Sequence, residues 1–207
     1  EDGPTHQPIE QEAQIRLLEH LRNHNGERSI VVLRPADSAE TVAAWKIALE
    51  NERPTALILS RQNIADLPSK NGDRRRDAEQ LTKGAYILAN CDGKPDVVMI
   101  ASGSEVATLV EGAKLLADDG IKTRIVSVPS EGLFRDQGAD YIKSILPDGI
   151  LRFGLTSGLP ITLRSLVGEN GFIHGLDHFG YSAPYKVLDE KFGFNGSYVY
   201  NQIKKLL

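Results

Sequence analysis

Asp2-Gly3-Pro4-Thr5-His6-Gln7-Pro8 sets a carboxylate, a hydroxyl and an imidazole in one short stretch stiffened by two prolines. Rigid loops that carry polar groups are where proteins place binding and proton transfer. Asp2 and His6 are therefore candidate binding groups, and His6 is the candidate catalytic one. A second candidate is Arg61, in Ser60-Arg61-Gln62-Asn63. It follows an apolar run read as a strand, and open α/β sheets place ligands beyond the carboxyl ends of their strands. A guanidinium there suits phosphate, because its fork donates two charge-assisted hydrogen bonds.

Other patterns carry less. His20 and His24 stand one helical turn apart, but no Glu follows the first, so the zinc-protease pattern fails. His174 and His178 straddle a strand end and a loop, and read as one buried hydrogen-bonded ring and one surface ring. Ala101-Ser102-Gly103-Ser104-Glu105 turns a strand into a helix, where amides can cradle phosphate; a plain serine N-cap is favoured. No glycine fingerprint of a dinucleotide site and no nucleophile elbow is present. Cys91 has no adjacent base to activate it, and one cysteine makes no internal disulfide. Arg74-Arg75-Arg76 reads as a solvated loop rather than a phosphate site.

The elements that must hold these groups follow a β/α rhythm. Ile9, Ala13, Leu17 and Leu21 share one face of a helix over 9–24. Ile30–Leu33 and Thr55–Ser60 read as buried strands around a helix from Asp37 or Ser38 to Glu50, with Val42, Trp45 and Leu49 facing inward. Residues 65–83 are poor in apolar side chains and read as an exposed connector. The rhythm then resumes with strands at Ala85–Leu88, Val97–Ala101, Thr123–Val128, Ile150–Leu155 and Gly171–Gly175. Helices are expected from Ser104 to Gly120, at Ala139–Leu146, near Leu163–Val167, at Pro184–Phe192 and at Ser197–Leu207. The fold class is α/β: three-layer α/β/α units with mostly parallel sheets, the first incomplete and the second complete.

Composition narrows the classes. With 207 residues, 25% charged and 41% hydrophobic, the chain is too apolar for disorder and long enough to bury a core. A net charge of −4 is not the footprint of a general nucleic-acid binder. No apolar run reaches the roughly 18 residues of a membrane span, and the first residues carry no basic or apolar secretion signal. A cytoplasmic protein that binds neither nucleic acid nor membrane is expected.

The quoted loops resemble the transketolase family. Asp2–Glu10 is similar to its DGPTHQPxE loop, Arg34–Asp37 with Glu40-Thr41 and Ala44-Trp45 to its RPADxxETxxAW segment, and Leu57–Asn63 to its LxLSRQN strand end. Met99–Glu105, Val128–Ser130, Phe179–Pro184 and Phe192–Phe194 match further family stretches, in order. Phe153–Gly158 departs from the family, most members having an acidic turn there.

The resemblance implies the last third of a longer protein. Residues 1–68 would be the incomplete end of a pyrimidine-binding domain, 69–83 a linker and 84–207 the C-terminal domain. Such an enzyme moves a two-carbon ketol unit from a ketose phosphate to an aldose phosphate in the pentose phosphate pathway. It acts as a homodimer with thiamine diphosphate and Mg²⁺ or Ca²⁺. On this resemblance His6 hydrogen-bonds substrate hydroxyls or shuttles a proton, Asp2 accepts from a substrate hydroxyl, and Arg61 grips the distal phosphate. The family's cofactor and metal ligands would precede Glu1. The chain alone is thus expected to bind no cofactor and to be inactive, with exposed apolar faces that favour self-association. The alternatives are a piece of a dihydroxyacetone synthase or ketoacid dehydrogenase subunit, or a non-catalytic assembly or regulatory subunit.

Overall fold

Two α/β modules are joined by an apolar cluster to which both contribute. The structure, a computed structural model, describes residues 3–70 and 72–207. In the first module β1 (Val31–Leu33) pairs in parallel with β2 (Thr55–Leu57), Val31 opposite Thr55. Between them runs α2 (Ser38–Glu50). Asp37 starts that helix: its carboxylate accepts from the Glu40 amide at 2.8 Å, while Glu40 Oε2 accepts from the Ala36 amide at 2.8 Å. This reciprocal arrangement satisfies two backbone donors at the helix start.

Several expectations for this module are corrected. The first helix, α1 (Gln11–Leu17), is shorter than 9–24 and ends in a 3₁₀ turn at Leu18–His20. Leu17 and Leu21 are exposed, while Arg16 and Glu19 are buried. Charge pairing decides the orientation: Arg16 reaches Glu12, Glu19 and Glu131, and Glu19 accepts from the Val32 amide. On α2 the inner face is Ala39, Glu40 and Ala44, and Val42, Trp45 and Leu49 face outward.

Residues 65–83 are mostly exposed, but the segment carries a short helix and buries Leu67, Asp77, Ala78 and Leu81. α3 (Arg74–Ala78) begins at Asp73, whose carboxylate accepts from the amides of Arg75 and Arg76. Leu81, in the following 3₁₀ turn, is fully buried with Val31, Leu33 and Ala44. Arg74 is no solvated side chain, since it pairs with Asp37 at 2.7 Å and Glu40 at 3.1 Å.

The second module has a five-stranded sheet in the order β3-β5-β4-β6-β7, made of Tyr86–Ala89, Thr123–Ser127, Val97–Ala101, Leu151–Leu155 and Phe172–His174. All pairings are parallel except β3 with β5. Central β4 is buried along its whole length, as its unbroken apolar run requires. One face is covered by α4 (Glu105–Asp118) and α9 (Gly196–Leu206), which touch closely at Gly112, where a Cβ would come within 2.7 Å of Val199. The other face packs against α5 (Glu131–Arg135), α6 (Ala139–Ile145) and α7 (Arg164–Val167) through Phe134, Ile145 and Val167. α8 (Tyr185–Phe192) precedes α9.

The modules are joined by core as well as by chain. Ala36 and Leu67 belong to the same apolar cluster as Tyr86, Met99 and Phe153. Glu40 Oε1 accepts from Tyr86 at 2.5 Å and from Ser127 at 2.8 Å. Burial pushes the Glu40 carboxyl above its ordinary value against the pull of Tyr86, Ser127, the Ala36 amide and Arg74.

Candidate functional site

The proline-framed loop folds as a single 3₁₀ turn, Pro4–His6, after Gly3 at φ 78°, a left-handed conformation that glycine adopts without strain. The His6 amide donates to the Gly3 carbonyl at 3.2 Å, and the Gln7 amide to Pro4 at 3.0 Å. Thr5 Oγ1 lies 3.1 Å from His6 Nδ1, and the imidazole is exposed. Asp2 lies outside the described residues.

From this turn the chain enters α1 across the second module. The Ile9 side chain packs on the large apolar cluster, and a Cβ at Gly158 would meet its carbonyl at 3.4 Å. The Gly180 amide donates to the Gln7 carbonyl at 2.9 Å. The turn thus stands beside the carboxyl end of β6, the side of the sheet on which α/β proteins present ligands.

Arg34, the residue after β1, ties this region together. Its guanidinium is buried and lies 2.6 Å from Glu105 and 3.4 Å from Glu12. It donates to the Ser102 carbonyl at 3.0 Å and to Ser157 Oγ at 3.1 Å. Burial opposes its charge, but Glu105 and Glu12 outweigh that, so it holds its proton more tightly than usual. Glu12 shows the converse: burial pushes its carboxyl up, and Arg34 and Arg16 bring it below the ordinary value. One planar fork therefore joins β1, α1, the start of α4 and the loop after β6.

Ala101–Glu105, weighed above as a phosphate cradle or a serine cap, wraps Arg34 instead. A Cβ on Gly103 would stand 2.8 Å from the guanidinium. Neither serine caps α4. Ser104 Oγ donates to the Glu105 side chain, and Ser102 Oγ accepts from Arg34.

Arg61 is exposed on the loop that leaves β2. Among the described residues no hydrogen bond joins it to His6. His20 is exposed at the end of its 3₁₀ turn, and no three His, Cys, Asp or Glu among the described residues stand together to hold a metal ion. His174 is partly buried: Nε2 lies 2.7 Å from the Phe192 carbonyl, and the ring packs on Tyr198 and Phe194. Burial lowers its proton affinity. His178 is exposed, and Cys91 sits in a bend near the Gly93 carbonyl.

Sequence reasoning passed over Arg34, Glu12 and Glu105 as interacting groups. A local signal existed for Arg34, a charged residue directly following the buried run Val31–Leu33. None marked Glu12 or Glu105 as its partners, because those contacts span distant parts of the chain.

Paired α/β modules with polar loops at the carboxyl side of parallel strands define a ligand-binding class of fold. Comparison narrows the class. Residues 1–66 match the transketolase pyrimidine-binding domain, and residues 84–195 the transketolase-like C-terminal domain. Transketolase 2 of Vibrio parahaemolyticus is 42% identical over 212 residues, and transketolase 1 of Escherichia coli 40%; each covers the whole chain. The solved transketolase of Leishmania mexicana superposes with a TM-score of 0.84 at 33% identity, covering 100% of this chain and 28% of that one. The chain belongs to the transketolase family. It spans about 30% of the length of the curated relatives it matches.

Proposed function

We propose that this chain carries the substrate-gripping share of a cytoplasmic, homodimeric transketolase, which transfers a ketol unit between sugar phosphates. His6 hydrogen-bonds substrate hydroxyls and relays a proton, a service worth about 10²–10⁴ in rate. Asp2 accepts from a substrate hydroxyl and so favours one stereochemistry. Arg61 binds the distal phosphate. Thiamine diphosphate with Mg²⁺ or Ca²⁺ supplies the electron sink when bound.

The observation that carries the reading is a contrast in availability. Arg16 and Arg34 are buried and Glu12 half-buried, and they are spent on one another, whereas His6 and Arg61 are exposed on loops. An exposed imidazole and an exposed guanidinium are available to a polar, anionic ligand. Membership in the family favours ketol transfer over the dihydroxyacetone synthase and ketoacid dehydrogenase readings.

The test is His6→Ala in the full-length enzyme, read as kcat with a ketose phosphate donor and an aldose phosphate acceptor. A fall of about 10²-fold or more is expected. A variant that keeps more than half of the wild-type kcat sinks the role. The 207-residue chain alone, given both sugars, thiamine diphosphate and Mg²⁺, is expected to show no turnover, and measurable turnover contradicts that expectation.

A further inference from the structure

We propose that Gln7 is a positioning residue, a latch through which the 178–184 loop of the second module holds the His6 turn. The inference rests on the reading of His6 above and adds to it what keeps the imidazole in place. The Pro4–His6 turn buries no residue of its own. Its internal bonds, His6 to Gly3 and Gln7 to Pro4, fix its shape but not its placement. Among the described residues, the hydrogen bonds that leave the Gly3–Pro8 stretch both involve Gln7. Its carbonyl accepts from the Gly180 amide at 2.9 Å, and its Nε2 donates to Ser182 Oγ at 3.4 Å.

The other side of the latch is firmly based. Tyr181, next to Gly180, stacks on Phe192 with centroids 5.5 Å apart and planes at 21°, and the Lys191 ammonium lies 4.9 Å from the Tyr181 ring. The Phe192 carbonyl is held in turn by His174 at the end of β7. A continuous run of packed and hydrogen-bonded groups therefore leads from the second sheet through Phe192, Tyr181 and Gly180 to Gln7, one residue from His6. A task for the second module follows: it sets where the imidazole stands without touching the substrate.

The experiment is NMR on this chain. Gln7→Met keeps the length of the side chain and removes its polar end, while Gly180→Pro removes the amide donor. The His6 ring resonances are expected to shift, and exchange of the His6 and Gln7 amides to rise about fivefold, the effect of losing one neutral hydrogen bond. The Met99 amide in β4 reports that the fold is intact.

In the full-length enzyme Gln7→Met is expected to lower kcat and to leave KM for the phosphorylated donor within about twofold, since the latch adds no interaction with the phosphate. Wild-type His6 shifts and exchange in Gln7→Met overturn the proposal, and that variant decides alone if Gly180→Pro does not fold. The NMR readout needs no turnover, so the latch and the ketol-transfer reading stand or fall separately.

Discussion

Arg34 shows how a charge can be structural. Its guanidinium meets two carboxylates, two hydroxyls and a carbonyl while almost fully buried. Arg34→Ala leaves Glu105 and Glu12 buried without their cation, and such a break costs about 3–5 kcal/mol. The denaturation midpoint measures it; a change within experimental scatter contradicts the pairing. His174 gives a pH test. Its folded form prefers the neutral ring, so its contribution to stability is complete above the ordinary imidazole value of about 6.5 and is lost as pH falls below it. His174→Gln keeps a donor for the Phe192 carbonyl and cannot titrate. The stability gap between wild type and this variant is expected to shift against wild type as pH falls below about 6.5, and a constant gap refutes the sign.

Elements read well where a single pattern governed them and poorly where charge overrode it. The periodicity of Val106, Leu109 and Leu116 marks α4, and β4 is legible from Val97–Ala101. α1 and α2 misled on orientation. Their leucine and tryptophan stripes have helical spacing, but buried pairs of Arg16 and Glu40 with residues far along the chain turn the polar faces inward. α3 was hidden because an Arg-rich segment looks solvated unless its partners, Asp37 and Glu40, are known to lie opposite. His6 and Arg61 were picked out from local chemistry, whereas their surroundings depend on contacts no local pattern encodes.

The outward stripe of α2, with Val42 at 66%, Trp45 at 50% and Leu49 at 79% exposure, carries its own prediction. Large exposed apolar patches drive association. This chain is expected to self-associate as its concentration rises, and Val42→Lys with Leu49→Lys to reverse that in sedimentation velocity. Association unchanged by the pair of lysines clears α2 of the role.

At the scale of the molecule, two matched domains behave as one packed body. Glu40 hydrogen-bonds Tyr86 and Ser127 across the boundary, Arg74 pairs back to Asp37 and Glu40, and the Ala36–Leu67 contribution extends the second module's core into the first. Calorimetry is expected to show a single cooperative transition for this chain. Arg74→Ala, which strands Asp37 and Glu40, is expected to lower its midpoint. Two separated wild-type transitions contradict the shared core.

The central claim is that Arg61 at the strand's carboxyl side meets a phosphate while His6 serves the same sugar. The most direct measurement is KM for phosphorylated and unphosphorylated donors with Arg61→Ala in the full-length enzyme. Charge-assisted hydrogen bonds contribute about 1.5–3 kcal/mol, so KM for the phosphorylated donor is expected to rise by about 10- to 150-fold with little change for the unphosphorylated one. Equal KM values for the phosphate ester in wild type and variant contradict the account.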